Sequence, residues 1–104
     1  MILKILIIGD IIGEVGVKKA KQVLEEMKQT DNIDFVIANG ENAAEGMGIN
    51  TKIFNTLIES GVNVITMGNH TWAKRDVFDV INNKQILRPA NYSNNVPGKR
   101  IWNI

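Results

Sequence analysis

The sequence predicts an α/β fold built on a largely parallel sheet. Three observations carry that expectation. Segments rich in β-branched residues alternate with segments of helical apolar spacing, in the order strand, helix, strand, helix, strand, helix. The first of the strands is almost continuously apolar, as strands of parallel sheets are. Each strand also runs into a polar, glycine-containing loop, and in open α/β sheets ligands bind at the carboxyl ends of the strands.

Residues 2–8, Ile-Leu-Lys-Ile-Leu-Ile-Ile, read as a strand buried on both faces. Val17, Ala20, Val23, Leu24 and Met27 then recur at helical spacing among Lys18, Lys19, Lys21, Glu25 and Glu26, an amphipathic helix with a solvated charged face. The polar turn Thr30-Asp31-Asn32 leads to a second strand at 35–39, Phe-Val-Ile-Ala-Asn. After a glycine-rich loop, Ile53, Phe54, Leu57 and Ile58 form a second helical face, closed by Gly61 where a helix end calls for a left-handed residue. Residues 62–67 read as a third strand. Val77, Phe78 and Ile81 suggest a third helix, broken by Asn82-Asn83, and residues 97–104 read as a turn leading into a further strand. Right-handed crossovers follow for consecutive parallel strands.

Composition narrows the function classes. With 104 residues, 44% of them hydrophobic, the chain is one ordinary domain or part of one, which excludes disorder and collagen. Twelve Lys+Arg against 11 Asp+Glu give a net charge of +1 and no basic run, so nucleic acid is expected only as a substrate and no membrane surface is expected as a partner. The absence of Cys removes disulfides, thiolate zinc sites and cysteine nucleophiles together. Residues 1–8 do not fit a signal peptide, because Lys4 interrupts the apolar run, Gly9-Asp10 ends it, and no small-residue cleavage site follows. A cytoplasmic protein is expected.

Parallel strands would bring Asp10, Glu41, Asn42, Asn69 and His70 to one edge of the sheet. Two carboxylates, two amide oxygens and an imidazole suit Mn, Fe, Zn or Mg. The glycines before Asp10, Glu41 and Asn69 allow tight turns and close approach of the backbone to a metal-bound anion. Taken singly, each residue has a plainer reading: Asp10 as a helix cap, Glu41-Asn42 as a surface turn, Asn69 as a turn former and His70 as a structural imidazole. Their joint placement at three successive strand ends favours chemistry. Trp72 and Phe78 read as packing residues, and Glu14 and Glu45 as solvated.

The segments Gly9-Asp10, Gly40-Glu41-Asn42-Ala43-Ala44, Gly68-Asn69-His70-Thr71-Trp72, Arg88-Pro89-Ala90-Asn91 and Pro97-Gly98 together resemble the amino-terminal part of a calcineurin-like metallophosphoesterase of the YmdB-like bacterial branch. The resemblance implies residues 1–104 as the amino-terminal portion of a single metallophosphoesterase domain, with a layered sheet of βαβ units, here truncated. It implies two divalent metal ions held by Asp10, Glu41, Asn42 and Asn69, with Glu41 bridging them. It assigns His70 as the catalytic acid or phosphate contact, and Asn91 as a substrate-binding residue. The implied substrates are phosphodiesters such as cyclic nucleotides, and a homo-oligomer is expected.

The chain departs from that pattern in one respect. Further histidine ligands belong to the later half of such domains, and this sequence has a single His. Both metal shells would be incomplete, so the isolated chain is expected to be weakly active or inactive. The rival reading is a non-catalytic nucleotide-binding or assembly module derived from the same fold. A dinucleotide-binding loop at Gly9, Gly13 and Gly16 has the wrong spacing and would set Asp10 against the pyrophosphate. A receiver domain would need an Asp where Asn69 stands.

Overall fold

The computed structural model describes residues 2–102. Four strands, β1 (Ile5–Ile8), β2 (Phe35–Asn39), β3 (Val64–Thr66) and β4 (Ile86–Leu87), form one sheet in the order β1-β2-β3-β4. Every neighbouring pair is parallel. Helix α1 (Gly13–Thr30) connects β1 to β2, and α2 (Thr51–Glu59) connects β2 to β3. The α/β class and the parallel sheet are as the sequence predicts.

One face of the sheet carries the core. Leu6, Ile8, Val36, Ala38, Ile65 and Ile86 pack in a single cluster with Val17, Ala20 and Leu24 of α1 and with Phe54 and Leu57 of α2. Helix α2 is framed by the two devices its sequence encodes. The Asn50 side chain accepts a hydrogen bond from the Ile53 amide (2.8 Å). At the other end Gly61, at φ +113°, lets the Val62 amide reach back to the Leu57 carbonyl (3.0 Å). Ile65, Ile49 and Leu57 meet under the turn after β2, where Gly40 leaves little room. A Cβ there would lie 2.9 Å from Ile65 Cγ2 and 3.2 Å from Ile49 Cδ1. Gly40→Ala is therefore expected to lose about 1–3 kcal/mol through overpacking, read as a lower urea midpoint at unchanged slope.

The structure corrects two expectations. β1 is an edge strand buried on one face only: Ile5 and Ile7 are 52% and 71% exposed, while Leu6 and Ile8 face the core. Helices α1 and α2 both pack on that face, and among the described residues β1 pairs with β2 alone. The Trp102 ring lies 4.8 Å from Phe35, the register partner of Ile5.

The predicted third helix is a five-residue 3-10 helix, Arg75–Asp79. It buries Val77, and the turn after it buries Val80 and Ile81, but Phe78 is left 55% exposed, and Asp76 accepts from the Thr51 amide at the start of α2 (3.1 Å). Phe78 still stacks on Trp72, with ring centroids 5.5 Å apart.

β4 escapes sequence reading because two residues are too few to show a period. The turn at Pro97-Gly98 is present, with Gly98 at φ +99° and Lys99 bridging alone to Leu87. Residues 103 and 104 of the further predicted strand lie outside the described residues.

Candidate metal centre

The register that aligns Ile8 with Ala38 and Ala38 with Ile65 sets the loops after β1, β2 and β3 side by side. Backbone hydrogen bonds stitch the first two together, from Ile11 N to the Asn39 carbonyl (3.2 Å) and from Gly13 N to the Asn42 carbonyl (3.0 Å). Immediately before those bonds Asp10 adopts φ +44°, a left-handed conformation that L-residues rarely take and that Asp tolerates better than most.

Asn42 links the other two loops through its side chain. Its Nδ2 donates to Asp10 Oδ1 (2.7 Å), and its Oδ1 lies 2.5 Å from His70 Nδ1. An amide oxygen can only accept, so the contact requires the proton on His70 Nδ1 and leaves Nε2 as the free position of the ring. Asp10, Asn42 and His70 thus form one hydrogen-bonded chain across the three loops.

Glu41 occupies a separate niche. Its Oε1 accepts from Asn39 Nδ2 (3.3 Å), and its carboxylate rests against Gly68, where a Cβ would collide with both oxygens. The Gly68 carbonyl is fixed in turn by the Thr71 amide (3.0 Å), the Thr71 hydroxyl (2.5 Å) and the Tyr92 hydroxyl (3.1 Å). The Tyr92 bond also places the turn that carries Asn91 beside the site, with Asn91 itself exposed. Asn69 is exposed next to His70.

The three glycines serve different ends. Gly68 makes space for a carboxylate, Gly40 makes space for the core, and a Cβ on Gly9 would meet nothing within 4 Å.

Among the described residues, no three Asp, Glu or His side chains converge on one point. The set is nonetheless a chemical fit for part of a divalent-metal shell: two carboxylates, amide oxygens and one imidazole. A carboxylate cradled by a glycine and a buried acceptor without a donor, Asn39 Oδ1, are both found in this niche.

The pattern of YmdB-like proteins matches residues 6–104. The chain belongs to the YmdB-like family. It is 45% identical over 100 residues to the 2',3'-cyclic-nucleotide 2'-phosphodiesterase of Bacillus subtilis strain 168, a match covering 95% of this chain and 38% of that protein. It is 43% identical over 90 residues to a Mycoplasma pneumoniae protein named as a phosphatase/phosphodiesterase, covering 86% and 32%. Two crystal structures have the same fold at 38% identity. One is a hypothetical protein from Thermus thermophilus, with a TM-score of 0.85 over 91% of this chain and 37% of that one. The other is a phosphatase from Mycoplasma pneumoniae, with a TM-score of 0.86 over 93% and 36%. This YmdB-like chain therefore spans less than two-fifths of the length of the relatives it matches.

Asn39 and Gly68 are the site residues that sequence reading missed or misjudged. Asn39 sits inside an apolar strand, and its only signal was a polar residue closing that strand.

Proposed function

We propose that this YmdB-like chain carries the first half of a dinuclear metallophosphoesterase site that hydrolyses phosphodiesters such as cyclic nucleotides. The observation that carries the reading is the Asp10–Asn42–His70 chain set beside the Glu41 carboxylate at the ends of three parallel strands. The names of the matched relatives support the substrate class. Asp10, Glu41, Asn42 and Asn69 would hold two divalent cations, Mn, Fe, Zn or Mg, with Glu41 bridging. Such cations, when bound there, would supply charge for the phosphate oxygens and lower the pKa of a bound water.

The protein's own residues do the rest. Asn42 engages Nδ1 of His70 and so leaves Nε2 to hold a phosphate oxygen or, once protonated, to pass a proton to the leaving alkoxide. Asn91, on the turn pinned by Tyr92, would contact the substrate. No helix among the described residues is long and apolar enough to cross a membrane. The exposed side chains of Ile5 and Ile7 offer a surface for homo-oligomer formation. With one His in the sequence the shells are incomplete, so the isolated chain binds metal weakly and turns over little substrate.

The test is a Mn2+ titration of the chain followed by electron paramagnetic resonance, with a chromogenic phosphodiester as substrate. Glu41→Gln is expected to weaken Mn2+ binding by at least ~10-fold. His70→Ala should leave Mn2+ binding in place and, in a YmdB-like protein of full length at the matching position, lower turnover by roughly 100-fold or more. Unchanged Mn2+ affinity in Glu41→Gln would refute the metal assignment. Robust chelator-sensitive turnover by the chain alone would refute the incomplete-shell reading and point to ligands donated by a second subunit.

A further inference from the structure

We propose that Asn39 and Thr66 are positioning residues for Glu41, an inference that rests on the metal-site reading above. Asn39 closes β2, Thr66 closes β3, and the two are direct register partners. The two hydrogens of the Asn39 amide serve two acceptors, Glu41 Oε1 at 3.3 Å and Thr66 Oγ1 at 3.4 Å. That pairing fixes which way the amide faces. Turned over, its oxygen would confront the carboxylate, whereas the NH2 group is attracted to it.

On its other side Glu41 meets the Gly68 backbone, so the carboxylate is held between an amide and a glycine. The amide bonds one oxygen, Oε1, while both oxygens lie against Gly68, and a carboxylate limited in this way would be held ready for a cation.

Asn39 Oδ1 is buried with no donor among the described residues. An acceptor left in that condition is destabilising, so the amide does not serve the fold alone. The Asn39 backbone carbonyl separately accepts from Ile11 N beside Asp10 (3.2 Å), and that bond survives any change of side chain. Substitution at 39 therefore isolates the amide. Groups that orient metal ligands typically contribute about 10–100-fold to metal affinity.

The experiment is a Mn2+ titration by electron paramagnetic resonance on the 104-residue chain, paired with thermal melts. Asn39→Ala is expected to weaken Mn2+ binding by ~10–100-fold with a melting temperature at or above that of the wild type. Thr66→Val, which keeps the shape and the strand preference, should weaken binding by a smaller factor, and Thr66→Ser should restore it. A residue with only a structural role would move the melting temperature and leave the affinity of the folded protein alone.

If Glu41→Gln loses Mn2+ while Asn39→Ala and Thr66→Val keep it, the positioning role is overturned and the metal site stands. If the wild type binds no Mn2+, or Glu41→Gln binds as well as the wild type, the metal reading falls and the positioning role with it. Should Asn39→Ala fail to fold, the Thr66→Val and Thr66→Ser pair decides.

Discussion

Gly68→Ala is expected to remove Mn2+ binding, by about 100-fold or more, while leaving the protein folded. The added methyl group would occupy the space that both oxygens of Glu41 now fill. Either the backbone at 68 retreats or the carboxylate leaves. The backbone is held through its carbonyl by the Thr71 amide, the Thr71 hydroxyl and the Tyr92 hydroxyl, whereas Glu41 is the far end of a flexible, half-buried side chain. The carboxylate is the group that yields, and its bond to Asn39 is lost with it. Stability should change little, because the displaced group can find water and Gly68 has no positive φ to be strained. Gly9→Ala is the matched control, since its Cβ would enter open space, and it should bind Mn2+ as the wild type does. The pair is read by Mn2+ titration with a melting curve for each variant. Wild-type affinity in Gly68→Ala would show that Glu41 has room to stay.

Much of this was legible in the sequence because periodicity and strand-end chemistry are local signals. The faces of α1 and α2 follow from spacing alone, and β2 is found at the residues its pattern marks. What stayed hidden depends on neighbours. The apolar run of β1 is compatible with burial on two faces or with an open edge, and only the sheet order, with β1 outermost, decides between them. The segment at 75–81 carries a spacing that both a helix and a 3-10 turn accommodate. The capture of Asp76 by the start of α2 selects the shorter form.

The candidate site divides in the same way. Asp10, Glu41, Asn42 and His70 were visible as polar residues in glycine-bearing loops at strand ends, and the structure brings them together in two niches. Which glycine serves which purpose was not visible, because spacing does not reveal what a missing Cβ makes room for. The sequence marks Asn39 as the end of a strand, and its amide acquires meaning from Glu41 and from the Thr66 side chain across the register.

Leu57→Ala should have the opposite signature, losing stability and keeping the site. Leu57 is fully buried on α2, a helix of nine residues that is too short to persist without tertiary packing. Removing a buried leucine side chain typically costs 2–5 kcal/mol, about 3 at a site that relaxes only in part. A domain of this size has roughly 5–15 kcal/mol in total, and each kcal/mol moves the melting temperature by about 4–8 °C, so a fall of roughly 12–24 °C is expected. Val15→Thr supplies the contrast. It removes apolar surface from the start of α1, but that side chain is 82% exposed, and the change should stay within ~0.5 kcal/mol. Urea titrations followed by circular dichroism separate the two, through the midpoint at constant slope. Equal destabilisation by both variants would place α2 outside the core. Leu57 Cδ1 lies beneath Gly40, 4.0 Å from where a Cβ would sit, so the same leucine that anchors α2 supports the turn presenting Glu41. Below its lowered melting temperature, folded Leu57→Ala should therefore still bind Mn2+, whereas Gly68→Ala, folded throughout, should not; that crossed result would separate the packing that holds the loops from the space that holds the carboxylate.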